Sequence, residues 1–263
     1  MARTYVVTGA ASGIAKATKE LLESRGNRVI GVDINSTDVV ADLSTPQGRI
    51  DGAAKAVEAA GGAVDAVISC AGVAVMTPLT VSVNYFGMTG FLNAMAPTLA
   101  KAEAPRAVLI SSISSLQPLY MPLVEAMCID DETKARAIAQ SLVDAGDGSD
   151  QLIYASTKRA IARWVRRECI KPQWAGAGIP LNAIGPGIVM TPMTADMLAT
   201  EEGRKMLTEM VPMPLHGFLK PEQIAPLLAW LASVENTHVT GQTIYIDGGY
   251  DATARGENIW DLA

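Results

Sequence analysis

The sequence predicts an α/β fold: one doubly wound domain spanning residues 1–263, its parallel sheet covered by helices on both faces. Three observations predict it. Short, β-branched apolar runs alternate along the chain with longer helical patterns. The composition, 49% hydrophobic and 18% charged over 263 residues, supplies one large core. No internal repeat, low-complexity tract or linker divides the chain.

The elements follow in order. Tyr5-Val6-Val7 reads as a strand, and Ile14 to Ser24 as a helix stopped before Gly26. Val29 to Val32 is the second strand, and Ala53 to Ala60 a helix closed by Gly61-Gly62. Ala66-Val67-Ile68 is a strand and Val81 to Ala100 a helix. Val108-Leu109-Ile110 is a strand and Ile153 to Trp174 a long helix. Leu181 to Ile184 and Thr243 to Ile246 complete the sheet, with a helix at Pro221 to Ser233 between them.

Charge and cysteine usage exclude several functions. A net charge of −6 opposes phosphate backbones and offers no basic handle to an anionic membrane, so neither nucleic acid nor membrane is an expected partner. Residues 66–100 carry no charge, but Pro78, Asn84 and Asn93 interrupt them, so a buried strand, loop and helix explain them better than a membrane span. Cys70, Cys128 and Cys169 are odd in number and scattered, which fits a reducing, cytoplasmic setting rather than a disulfide framework. The first residues show no leader pattern. The two histidines lie far from any cysteine pair, so no metal site is expected.

Between the first strand and helix stands Thr8-Gly9-Ala10-Ala11-Ser12-Gly13-Ile14-Ala15. Gly9 permits a tight turn. Gly13 lets backbone N–H groups approach a pyrophosphate at the positive end of a helix. Asp33 ends the second strand, twenty residues after Gly13. A carboxylate there accepts hydrogen bonds from ribose hydroxyls and repels a 2′-phosphate, which selects NAD over NADP. Arg28 stands at the other end of that strand.

Tyr154 and Lys158 are four residues apart and share a helix face with Ile161, Ala162 and Val165, while Arg159, Arg163, Arg166 and Arg167 lie opposite. The pair therefore faces inward. A nearby ammonium and a positive nicotinamide both favour the phenolate, so Tyr154 is the expected proton carrier. Ser112, at the carboxyl end of a parallel strand, can hydrogen-bond a substrate oxygen.

With these residues in place the chain resembles the short-chain dehydrogenase/reductase family, a Rossmann-type fold, over nearly its whole length. Thr8-Gly9-x-x-x-Gly13-x-Ala15 resembles the family's TGxxxGxG loop, with Ala15 in place of the third glycine; Ser12 and Ile14 belong to it. Asp42-Leu43 is similar to the acidic pair that contacts adenine. Ser69-Cys70-Ala71-Gly72 resembles NNAG with both asparagines replaced; Ala71 and Gly72 would lie along the cofactor. Asn84 matches a helix asparagine expected to hold a water linking Lys158 to solvent. Ser112 and Tyr154-x-x-x-Lys158 match the catalytic residues, with Lys158 also holding the nicotinamide ribose. Pro186-Gly187-Ile188-Val189-Met190-Thr191 matches PGxxxT, and Ile246-Asp247-Gly248-Gly249 a signature after the last strand. The resemblance makes Asn84, Ser112, Tyr154 and Lys158 catalytic. It assigns NAD to Gly9, Ser12, Gly13, Ile14, Asp33, Asp42, Leu43, Ala71, Gly72, Tyr154, Lys158, Pro186, Gly187, Val189 and Thr191.

One departure points to a subgroup. Ser112 and Tyr154 are 42 residues apart, far more than in typical members, and an insertion of about 120–150 contains a helical stretch from Asp130 to Leu142. This gap, Val81 to Gly87 and Ala41 to Thr45 look like the bacterial 3α-hydroxysteroid dehydrogenase/carbonyl reductase subgroup. That resemblance implies a bulky hydrophobic alcohol or ketone and a homodimer, with a homotetramer as the alternative; the insertion follows the sheet edge where typical members pair helices into a tetramer and is expected to block that contact. A methionine-rich segment, 191–218, is the expected substrate lid, with Met193, Met197, Met206, Met210 and Met213 in it and Leu119, Tyr120 and Met121 as the opposite wall. Three readings stay open: a hydroxysteroid dehydrogenase, the same chemistry on a terpenoid, aromatic or acyl-chain substrate, and a nucleotide sensor without turnover.

Overall fold

The structure is a computed structural model and describes residues 2–260; the outermost positions of the expected 1–263 domain lie outside them. Strand β1 (Thr4–Thr8) leads through the glycine turn into α1 (Gly13–Ser24), and β2 (Arg28–Asp33) returns beside β1. A two-residue strand, β3 (Val39–Val40), pairs with the end of β2, and α2 (Pro46–Ala59) carries the chain to β4 (Ala66–Ser69). Then come α3 (Pro78–Val81), a π-helical segment at Ser82–Gly87, α4 (Met88–Leu99) and β5 (Arg106–Ile110). Helices α5 (Met121–Cys128) and α6 (Glu132–Ala145) precede α7 (Leu152–Glu168) and β6 (Leu181–Pro186). Helices α8 (Ala195–Ala199), α9 (Glu201–Met210) and α10 (Pro221–Leu231) lead to β7 (Thr243–Ile246), followed by α11 (Tyr250–Arg255).

All seven strands are parallel, in the order β3-β2-β1-β4-β5-β6-β7. Helices α1 and α10 pack together on one face; α2, α4 and α7 cover the other. Covering both faces requires strands apolar on both sides, and Val6, Val7, Val67, Ile68, Val108 and Leu109 are fully buried. The strand order reverses between β1 and β4, which opens a crevice at the carboxyl ends of the sheet.

Several elements differ from expectation, and the main differences have local reasons. Helix α2 begins at Pro46 rather than Ala53, because the Thr45 side chain caps it and Pro46 suits the first turn. Helix α7 ends at Glu168, short of Trp174; Pro172 prevents its continuation. Trp174 is instead a buried core residue set edge-on against Trp164, ring centroids 5.8 Å apart. The helix expected at Val81 to Ala100 is interrupted by the π segment. The insertion holds two helices, and Leu123, Val124, Met127, Ala135 and Ala139 join the main core.

Candidate active site

The glycine turn forms the floor of the crevice. Gly9 has φ +75°, and a β-carbon there would come within 3.0 Å of the Ala71 backbone, so only glycine lets β1 pass this close to the loop after β4. Thr8 fastens the same contact: its hydroxyl accepts the N–H groups of Cys70 and Ala71 at 3.0 and 3.1 Å. Gly13 opens α1 with φ +55°, facing Thr191 across the crevice. Ser12 and Ile14 flank it. The Ser12 side chain makes no cap and no acid lies in the first turn, so the positive helix end stays open to an anion. Asp33 sits beside this turn. One carboxylate oxygen accepts the Ala11 N–H at 3.1 Å, and the other accepts the Asn35 backbone and side-chain N–H groups at 3.0 and 3.2 Å. Arg28 is occupied at the far end of β2 by the carbonyls of Ala59 and Ala60. Leu43 is buried, while exposed Asp42 accepts the Ser44 N–H at 2.9 Å.

On the other side of the crevice Pro186 ends β6, and the Gly187 N–H continues the ladder to the Ile246 carbonyl at 3.0 Å. Val189 is buried and bridges Leu219. Thr191 opens a 3-10 turn, Pro192–Thr194, against Gly13. These residues form the wall that faces the glycine turn. The residue set fits a dinucleotide: an open helix end for the diphosphate, an acid at the strand end for a ribose, and an apolar wall between.

Ser112, Tyr154 and Lys158 converge at the carboxyl end of β5. Lys158 is 3% exposed, and its Nζ donates to the Ile110 carbonyl at 3.1 Å. It lies 5.5 Å from the centroid of the Tyr154 ring. Burial lowers the Lys158 ammonium to about 8. Burial raises the Tyr154 phenol above its usual range, and a hydrogen bond with the Ser112 hydroxyl counters it. The expectation that the ammonium acidifies the phenol is therefore not met by the protein's groups alone. Ser112 caps the turn Ile113–Leu116, and its Oγ accepts the Ser114 N–H at 3.1 Å.

Asn84 lies in the π segment, fully buried. Its amide straps the loop after Gly72: Oδ1 accepts the Val73 N–H at 2.8 Å and Nδ2 donates to the Val73 carbonyl at 2.9 Å. The side chain thus holds the loop and makes no bond to Lys158. Arg159 also departs from expectation. It is half-buried and donates to the Ser115 carbonyl rather than facing solvent. Three residues that shape the site lay outside the sequence-derived set. They are Thr8, Ser111 (whose hydroxyl donates to the Lys158 carbonyl at 2.9 Å) and Ser156, which fixes Tyr120 through its N–H at 2.9 Å. Thr8 opens the glycine motif itself and Ser111 stands next to Ser112, a signal that could have found them. Burial pushes the Cys70 thiol up to about 12 and raises Cys128, so both are neutral thiols. Among the described residues no cluster with metal-ligating composition occurs, and no helix is long and apolar enough to cross a membrane.

A family model described as enoyl-(acyl carrier protein) reductase matches residues 9–251. The 3-alpha-hydroxysteroid dehydrogenase/carbonyl reductase of Comamonas testosteroni is 36% identical over 255 residues, covering 95% of this chain and 97% of that protein. The chain belongs to the short-chain dehydrogenase/reductase family. The 3-oxoacyl-[acyl-carrier-protein] reductase FabG of Thermotoga maritima is 29% identical, covering 94% of this chain and 97% of its own length. The crystal structure of the 3-alpha-hydroxysteroid dehydrogenase from Pseudomonas sp. B-0831, complexed with NADH, superimposes with a TM-score of 0.88 at 36% identity, covering 97% of this chain and all of that one. This short-chain dehydrogenase/reductase is thus an oxidoreductase of a family that uses NAD(P).

A second, smaller hydrophobic cluster lies at the segment after Thr191. Ile188, Leu198, Leu207, Val211, Met213 and Tyr250 cluster with Ile113, the residue after Ser112. Of the five methionines expected to line the lid, Met213 fills that core, whereas Met193, Met197, Met206 and Met210 are exposed.

Proposed function

We propose that this protein interconverts a secondary alcohol and a ketone with NAD(H), acting on a bulky hydrophobic substrate such as a 3-hydroxysteroid. The observation that carries this reading is the buried Lys158 beside Tyr154 and Ser112, opening onto a crevice whose far end holds Asp33. When bound, NAD⁺ would take the carbinol hydrogen as hydride and bring a positive ring to the site. Ser112 Oγ hydrogen-bonds the substrate oxygen and orients it. Tyr154 Oη takes the hydroxyl proton in oxidation and returns it in reduction. Lys158, charged below about pH 8, would bind ribose hydroxyls, and its charge would favour the phenolate only together with the positive nicotinamide ring. Asp33 accepts from the adenosine ribose and excludes a 2′-phosphate. Asn84 keeps the Gly72–Val73 loop in place beside the crevice.

The hydrophobic substrate is supported by the apolar lid, its exposed methionines and the Comamonas and Pseudomonas relatives. A homodimer in the cytoplasm fits the insertion and the three free cysteines. The test is NADH formation over a panel of secondary alcohols: 3-hydroxysteroids, terpenoid, aromatic and acyl-chain alcohols. Turnover with ring-fused apolar alcohols and preference for NAD are expected. Tight NAD binding without turnover of any alcohol or ketone would select the nucleotide sensor instead.

A further inference from the structure

We infer that Glu132, in the insertion, positions the adenosine end of the coenzyme crevice through Arg49. This rests on the dinucleotide reading above. Arg49 extends from α2 into the interior and is 6% exposed. Its Nε donates to the Leu43 carbonyl at 2.8 Å. Nη2 donates to the carbonyls of Ser44 and Ser82 at 3.0 and 3.1 Å. Glu132 meets the same guanidinium with both oxygens, Nη1–Oε2 at 2.6 Å and Nη2–Oε1 at 2.7 Å.

One planar group therefore joins three pieces of backbone. Leu43 and Ser44 follow β3, whose end is tied to Asp33: the Ala41 N–H donates to the Asp33 carbonyl at 2.9 Å. Ser82 opens the π segment that carries Asn84. Glu132 is the first residue of α6, after the Asp131 cap. One turn further along, Arg136 donates to the Ser82 hydroxyl. Carbonyls alone would leave the buried guanidinium without a counter-charge. Glu132 supplies it in bidentate geometry, which fixes the plane of the fork and so the position of the two loop carbonyls. The insertion thus reaches the coenzyme wall, a role separate from any effect on subunit contacts. Glu132 touches no ligand in this account and is a positioning residue.

The test separates this role from plain scaffolding. Glu132→Gln removes the charge and keeps the shape. The expected result is a rise of about fivefold in Kd for ADP-ribose and NADH and in KM for NAD, less than the loss of a direct charge-assisted hydrogen bond because Glu132 acts through Arg49, with kcat at saturation within about twofold. Glu132→Asp, which keeps the charge, should recover part of the affinity. Arg49→Lys, which loses the fork, should move Kd in the same direction as Glu132→Gln. A Glu132→Gln protein that melts earlier yet binds ADP-ribose as wild type does would overturn the inference alone. A wild type that binds neither ADP-ribose nor NADH would overturn the coenzyme reading and this inference with it.

Discussion

The two walls of the crevice are built by different physics. On the side of the glycine turn and Asp33, directional hydrogen bonds fix the backbone. Thr8 accepts two amides, Asp33 accepts three N–H groups, and Arg49 spans three elements. On the side of the segment after Thr191 a small apolar cluster packs, with exposed thioethers around it. Hydrogen bonds lock distances and angles, whereas methionine contacts tolerate many shapes. Under the proposed function the coenzyme, common to every turnover, lies on the fixed wall and the variable substrate on the adaptable one.

Four changes should break or sharpen that contrast. Tyr154→Phe removes only the proton carrier, so kcat should fall about 1,000-fold while Kd for NADH stays unchanged, read by turnover and fluorescence titration. Near wild-type turnover would rule the role out. Asp33→Ala removes a charged acceptor from the fixed wall, so the preference for NAD over NADP should shrink about 10- to 100-fold, measured as a ratio of kcat/KM. An unchanged ratio would place the ribose elsewhere. Replacing Met197 and Met210 together by Ser should raise KM for a bulky alcohol about tenfold, with a small secondary alcohol and the melting temperature little changed. Equal effects on both alcohols would remove these methionines from the substrate wall. The smallest effect concerns stability. Burial holds Lys158 near 8 in the folded chain, below its unfolded value, so the unfolded state binds more protons at pH values between them. The buried ammonium costs stability below pH 8, and that cost is relieved as pH rises. Wild type should therefore gain on Lys158→Met by a few degrees of melting temperature between pH 8 and 10. A difference that does not change with pH would show that Lys158 is not buried as a cation.

The sheet was legible because its strands are uninterrupted apolar runs, and the glycine turn with Asp33 because each needs a particular residue type at a strand end. Other features hide from pattern. Strand β3 is two residues long, too short for any periodicity. The π segment uses the same side chains as an α-helix and differs only in which carbonyl each N–H meets. Tyr154 and Lys158 face inward as their spacing suggested, but the balance of their protonation depends on burial, which spacing does not encode. The lid methionines divide between core and surface according to tertiary packing, and composition cannot sort them. Arg49 and Glu132 meet across 83 residues, a pairing no local rule detects.

The switch between β1 and β4 also bears on how the molecule assembles. Thr8 pairs with Ser69, and the Thr4 N–H donates to Asp65 from 61 residues away. β1 is thus shared by the two halves of the sheet, and the crevice is complete only where both halves are in place. A ligand that binds only this completed crevice therefore holds the two halves together and raises the melting temperature with its concentration.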